Sequence, residues 1–253
     1  MRTKQSVRIG ALGVLLVWSG VTATQAQVAD WSDLHYWGSG ANRSAFVVDW
    51  DDGKANETLA WGFRWDGTLT VYDMITSLVT GDPRFFARVD NDAGFGAFIF
   101  GLGYQNSATA FDVVGTVDDV GNAVSSDFVD GVWDINTQPG WEGPLAFDGA
   151  PLNVVDQYLE GFGWEFYLGE AVDENVNVPG TFFQAGPTTT YPGWWGFATL
   201  GASDTSLVND GWYALSHAGG PPGPALAAIP EPSAAVLVLL GAGMLAWFRR
   251  RRA

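Results

Sequence analysis

Two short runs rich in apolar, β-branched and aromatic residues, "SAFVVDW" (44–50) and "TLAWGFRW" (58–65), flank "DDGKANE". Such runs read as strands. Asp52-Gly53 between the runs is a turn signal, so a hairpin is predicted. In the second run Trp61, Phe63 and Trp65 fall on one face, and Gly62 and Arg64 on the other. "FGAFIFGLGY" (95–104) and "GFGWEFYLG" (161–169) read as two further strands, the latter with Phe162, Trp164, Phe166 and Leu168 on one side. One segment has a different period. In "GTLTVYDMITSLVTGDP" the residues Val71, Met74, Ile75, Leu78 and Val79 form a single apolar stripe, predicting an amphipathic helix over about 70–80. Thr70 is placed to cap it, Asp73 faces its positive end, and Gly81 with Asp82-Pro83 closes it. Several strands around one helix predict an α+β, mainly β fold. Residues 105–155 read as loops and short strands of unassigned pairing.

The two ends have other patterns. "MRTKQSVRIGALGVLLVWSGVTATQAQ" has a basic start, an apolar stretch from Ile9 to about Val21, and small residues at Thr24 and Ala26. That order predicts a signal peptide over 1–26, cleaved after Ala26 and handled by the Sec translocon. Residues 27–217 are then one β-rich globular domain. Residues 218–229, which include "AGGPPGPALAA", have no core-forming pattern and are expected to be a Pro/Gly/Ala linker. Residues 230–253 open with Pro-Glu-Pro, run apolar through 233–248 and reach four arginines. The apolar run is shorter than the ~20 residues of a comfortable membrane helix. Its glycines are tolerable in lipid, and the arginines make a cytoplasmic stop, so a C-terminal transmembrane helix is predicted.

Pro230, Glu231 and Pro232, the apolar segment, and Arg249, Arg250, Arg251 and Arg252 together resemble the PEP-CTERM sorting signal of Gram-negative bacteria. The resemblance implies recognition by an exosortase, a membrane protease-transpeptidase. It also implies transient anchoring in the inner membrane, then delivery to the cell surface or the exopolysaccharide matrix. It concerns an address, not an activity.

Charge narrows the partners. The chain has 12 Lys+Arg against 28 Asp+Glu, a net charge of −16. Arg2, Lys4, Arg8 and Arg249–Arg252 lie in the two ends, and no Lys or Arg lies between Val89 and Phe248. Such a body repels phosphate backbones, so nucleic acid is not an expected partner. The absence of cysteine removes disulfides, thiolate metal sites and cysteine nucleophiles.

In the body, "GTLTVYDMI", "FGAFIFGLGY", "GWEFYLGEA" and "LGASDTSLVNDGWYAL" resemble, in order, the C-terminal β-grasp domain of transcobalamin-like proteins, with a long insertion from Asn106 to Pro151. The resemblance implies a β-grasp sheet, antiparallel or mixed, and a binding module whose ligand in some relatives is a corrinoid.

Candidate chemistry is sparse. His35 and His217 flank the body outside any nucleophile-elbow or zincin motif, and Ser203 reads as a turn residue. No catalytic residue and no metal ligand set is assigned. Asp49-Trp-Asp51-Asp52-Gly53 and Asp90-Asn91-Asp92-Ala-Gly94 depart from an EF-hand loop, leaving calcium and tight-turn readings both open. Arg64, Arg84 and Arg88 are expected to pair with acids such as Asp66 and Asp82. Glu165 faces away from its strand's apolar side. Most of the body's tryptophans are expected in the core. Trp194 and Trp195 in "YPGWWGF" differ, because neighbours on an extended chain cannot both point inward. They are the candidate ligand-binding pair. The chain is thus expected to be an exported, non-enzymatic surface or matrix component that binds a ligand such as polysaccharide. The alternatives are a corrinoid-type β-grasp module and a glycan-cleaving enzyme using paired carboxylates.

Overall fold

The computed structural model describes residues 27–51, 58–90, 97–105, 112–113, 123–124, 130, 132–134, 157–160, 164–173, 183–198, 200–217 and 220–228. Ala26, segment 233–248, Pro230, Glu231, Pro232 and Arg249–Arg252 lie outside them. Among the described residues no helix is long and apolar enough to cross a membrane.

The strands in chain order begin with β1 (Tyr36–Gly38), β2 (Asn42–Asp49), β3 (Thr58–Trp65), β4 (Phe85–Asp90) and β5 (Phe98–Tyr104). Next come β6 (Asp112–Val113), β7 (Ala123–Val124), β8 (Val132–Asp134), β9 (Gln157–Glu160) and β10 (Trp164–Gly169). Last are β11 (Val172–Asp173), β12 (Phe183–Gln184), β13 (Trp195–Phe197), β14 (Gly211–His217) and β15 (Leu226–Ala227). A seven-stranded sheet runs β1-β3-β2-β14-β10-β13, with β15 also on β3. A second sheet has the order β8-β4-β5-β9, and β6-β7 and β11-β12 are small pairs. The fold is mainly β, with mixed sheets and one α-helix, α1 (Val71–Gly81).

The main sheet is built from the predicted hairpin. β2 and β3 pair antiparallel from Asn42↔Trp65 to Asp49↔Thr58. Strand alternation then sorts the side chains. Phe46, Val48, Trp61, Phe63, Trp65, Leu168, Tyr213 and Leu215 are buried on one face, packed with the α1 stripe and with Phe85, Val89 and Leu102 of the second sheet. Trp50 donates its indole N–H to the Leu102 carbonyl at 2.8 Å, tying the two sheets. Ala45, Val47, Ala60, Trp212 and Ala214 are buried on the other face, under Val28, Trp31, Leu34, Ala225 and Ala227. Both faces are therefore covered, which is why β2 and β14 read as continuous apolar runs.

α1 matches its sequence pattern, with Val71, Met74, Ile75, Leu78 and Val79 all buried. Thr70 and Asp73 form a reciprocal capping box, the Asp73 N–H reaching Thr70 Oγ1 at 3.2 Å. We expect Thr70→Ala to cost about 1 kcal/mol in urea unfolding and Thr70→Ser to cost little. Asp82 is the C-cap, and Gly81 lies within the helix rather than beyond it. It is the last helical residue, and a Cβ there would meet the Trp37 ring at 2.8 Å. Close packing excludes a side chain there.

Arg43 and Arg64 stand directly opposite each other on β2 and β3. Like charges in that register repel. The cost is offset because Arg43 ion-pairs with Asp210 at 2.5 Å, and each guanidinium lies 4.7 Å from a ring, Trp31 for Arg43 and Tyr36 for Arg64. Arg64 thus stacks rather than pairing with Asp66, whose carboxylate accepts the Ala41 N–H. Arg84 does pair with Asp82, at 3.5 Å.

The described part of the expected linker, 220–228, differs from a free spacer. Leu226 and Ala227 pair in parallel with Leu59 and Ala60. Ala228 donates its N–H to the Ala60 carbonyl at 2.8 Å, and Ala225 and Ala228 are buried. The physical reason is that β3 is an edge needing partners, and alanines are small enough to lie flat against it. β1 and β15 share that edge.

Candidate functional site

The opposite edge of the main sheet is β13. It pairs antiparallel with β10 through Tyr167↔Phe197, Leu168↔Gly196 and Gly169↔Trp195. The segment leading into it, 186–195, is pinned at many points. Trp31 donates its indole N–H to the Thr188 carbonyl at 2.6 Å, and the Tyr191 N–H bonds Ala29 at 2.9 Å. The Tyr191 hydroxyl donates to the Gly223 carbonyl at 2.6 Å. The Gly193 N–H donates to Glu170 Oε1 at 2.7 Å, fixing the Pro192-Gly193 turn. Pro192 is itself seated over Gly169, where a Cβ would lie 2.5 Å from the proline ring. A fixed turn therefore presents Trp194 and strand β13.

The presented side chains are aromatic and exposed. Trp194 is 49% and Phe197 58% exposed, against near-complete burial for most other large apolar side chains described. Trp195 is half-buried and packs edge-on against Tyr191, centroids 5.8 Å apart. The sequence rule that only one of the adjacent tryptophans can point inward holds, and Trp194 is the outward one. Strand alternation places Trp195 and Phe197 on one side of β13. Trp194 reaches round to the other side, its six-membered ring against Gly196. Trp195 closes an aromatic row, Trp31–Trp212–Tyr191–Trp195, with successive centroids 4.7, 5.2 and 5.8 Å apart.

A polar pair sits beside Phe197. Tyr167 packs edge-on against Phe197 at 5.8 Å and donates its hydroxyl to Glu165. Burial and then the Glu165 bond push the Tyr167 phenol up to about 12. Glu165 is thus half-buried and held, a feature that alternation alone did not reveal. Rings flanking a fixed carboxylate and phenol can bind a neutral, hydroxyl-rich ligand by stacking and hydrogen bonding.

The other candidates disperse. His35 is exposed, whereas His217 is buried edge-on against Trp164 at 5.2 Å. Ser203 lies in a turn. Asp49 accepts the Gly223 N–H at 2.8 Å and the Asp51 N–H at 3.1 Å, so it holds the 220–228 segment. Residues 52–53 and 91–94 of the two acidic clusters lie outside the described residues. Among the described residues no group of three or more His, Asp or Glu side chains could hold a metal ion.

Residues 228–252 match the family model of the PEP-CTERM protein-sorting motif. The chain carries that motif. A PEP-CTERM motif marks an exosortase-targeted, exported protein anchored through its C-terminal tail. The match begins at Ala228, which is the last described residue and is hydrogen-bonded to Ala60 of β3. No curated protein and no solved structure matches the chain. The likeness to transcobalamin-like proteins therefore rests on short sequence motifs.

Tyr191 and Tyr213 join Tyr167 in having phenols raised by burial. Each folded-state value lies above the unfolded value of about 10, so the stability they supply is complete below pH ~10 and is lost as pH rises through the folded values. Alkaline unfolding is expected to start above pH ~10 and to coincide with tyrosinate absorbance. Tyrosinate forming well below the loss of structure would contradict it.

Proposed function

We propose that this PEP-CTERM protein is a non-enzymatic surface or matrix component that binds polysaccharide along the β13 edge. One observation carries the reading: Trp194 and Phe197, 49% and 58% exposed, are held at a strand whose turn is pinned by the rest of the body. Exposed rings on a rigid support lose little freedom on binding and stack on the apolar faces of sugars. The sheet order lends support. The chain passes into the sorting motif beside β3, and β13 lies four strand spacings away, about 19 Å. The aromatic edge is therefore the side of the sheet remote from Ala228, where the chain enters the sorting motif. A neutral glycan suits a body this acidic better than a polyanion does.

Titrating the processed protein with exopolysaccharide from the producing cells should shift tryptophan emission. Trp194→Ala and Phe197→Ala should each weaken binding about tenfold, the equivalent of ~1.4 kcal/mol. Unchanged affinity in the double variant would sink the assignment of the edge. No response to the exopolysaccharide or to a panel of glycans would sink the function.

A second reading has its own support. The order β3-β2-β14-β10, with a parallel β2/β14 pair at its centre and α1 following the first hairpin, suits a β-grasp sheet. On that reading a corrinoid is the ligand class, and cobalamin should co-elute with the processed protein as a coloured complex. A colourless protein that ignores added cobalamin would remove it.

A further inference from the structure

Glu165, Tyr167 and Phe197 lie on one face of the main sheet, at its β13 edge. Tyr167 and Phe197 are partners across β10 and β13, and Glu165 stands two residues before Tyr167 on the same strand face. Glu165 and Phe197 are therefore diagonal neighbours, about 7–8 Å apart at their backbones and within reach of a long side chain and a ring. Tyr167 joins them: its ring lies edge-on to Phe197 at 5.8 Å, and its hydroxyl donates to Glu165 Oε2. One carboxylate oxygen is thus committed and the other is not. Glu165 is half-buried. Among the described residues nothing donates to its Oε1, and that atom is not shut off from water, so it opens to solvent. The Phe197 ring beside it is 58% exposed. A ligand laid on that ring meets a presented polar atom at its rim.

The chemistry of that atom is one-sided. A carboxylate oxygen only accepts hydrogen bonds, and Tyr167, its O–H already engaged by Glu165, has only acceptor capacity left. Both call for donors on the ligand. An anionic sugar would bring like charge to a carboxylate in a chain of net charge −16, so uronate and sulfate are disfavoured. Among neutral sugars the donor is the ring hydroxyl. Esterifying or alkylating that hydroxyl removes its hydrogen and sets an acceptor against the carboxylate, which then loses water without gaining a bond. A mismatch of this kind discriminates more sharply than an added methyl group does against an apolar wall.

We infer that Glu165, oriented by Tyr167, is the specificity-determining residue of the β13 edge, selecting a neutral glycan whose sugar stacked on Phe197 keeps a free hydroxyl at its rim. Phe197 supplies the stacking, which any sugar face can use, and Glu165 supplies the choice. The inference rests on the polysaccharide reading and names the class of glycan within it.

The probes are the exopolysaccharide of the producing cells after mild alkali, which frees esterified hydroxyls, and the same polymer after O-methylation. Affinity of the processed protein is measured by its retardation in gels containing each polymer. The parent should prefer the hydroxyl-bearing polymer about tenfold, the low end of what a hydrogen bond to a charged group contributes. Glu165→Gln should bring the preference close to parity, because an amide can donate to an ether oxygen as readily as it accepts from a hydroxyl. Tyr167→Phe, which frees the carboxylate to swing, should lower the preference in the same direction. Phe197→Ala should weaken both polymers alike. Raising salt about tenfold should change little, whereas loss of binding would assign the carboxylate to a cationic sugar and overturn the hydroxyl. A parent without preference, or a preference kept in both Glu165→Gln and Tyr167→Phe, would overturn the role of Glu165 while leaving the polysaccharide reading intact. Binding of neither polymer would end that reading, and this inference with it.

Discussion

Replacing Trp61 by alanine is expected to cost about 3–5 kcal/mol, as much as a third to a half of what a domain of this size has to lose. Trp61 is fully buried and sits where three elements meet. It stacks on Phe85 of β4 at 4.5 Å, meets Tyr104 of β5 edge-on at 5.6 Å and lies 6.4 Å from Phe46 of β2. Its indole N–H donates to Asp82 Oδ2 at 3.1 Å, just after α1, where Asp82 is 1% exposed. Truncation therefore opens a large cavity and also strips a buried carboxylate of one donor. The two effects can be separated. Trp61→Phe keeps a six-membered ring, leaving a smaller cavity while losing the donor, so it should cost about 1–3 kcal/mol. Asp82→Asn in that background relieves the under-bonded carboxylate but also gives up the Arg84 ion pair, so it should recover little of the loss. Urea unfolding of the four proteins checks this. Trp61→Ala falling within ~1 kcal/mol of the parent would mean that the two sheets do not share this core.

How much of this was legible in the sequence depends on whether local pattern or distant packing decided the outcome. The hairpin β2–β3 was legible because two apolar runs flank a turn signal, and α1 because it has a clean period and its own end signals, down to Thr70 and Asp73. Strand β4 was not legible, since "FFARVD" places Arg88 in the middle of an apolar run. In the structure that arginine is only 3% exposed, a placement that tertiary contacts alone decide. β15 was hidden for the opposite reason. "PPGPALAA" has linker composition, and its role comes from the unpaired edge of β3, which no local pattern announces. The candidate site divides in the same way. Alternation predicted that Trp194 and Trp195 would differ, but which of them faces out is set by Tyr191 on one flank and Gly196 on the other. Glu165 had no distinguishing signal, because its partner Tyr167 becomes relevant only once Phe197 is laid beside it.

The largest effect outside the core should come from Ala225→Asp. Ala225 is fully buried on the second face of the main sheet, and its carbonyl accepts the Val28 N–H at 2.8 Å. An aspartate there would place an unpaired carboxylate against Val28 and Trp31, which cover the same face. The 220–228 segment is expected to lift off instead, giving up the β15 pairing, the Tyr191–Gly223 bond and the Gly223–Asp49 bond together. That limits the loss to about 3–5 kcal/mol and turns it into a local opening rather than global collapse. The consequence reaches the sorting motif. Ala228, bonded to Ala60, stands only two residues before Pro230 in the chain, so the sequence that a membrane enzyme must reach begins next to a residue docked on the folded body. Proteases bind extended chain on both sides of the bond they cut. Lifting the segment should then speed conversion of the precursor in pulse-chase labelling, and a flexible insert between Ala228 and Ile229 should do the same without destabilising the body. Conversion unchanged by both variants would show that the docked segment does not limit access, and conversion slowed by the insert would show that the enzyme uses the body as part of its substrate.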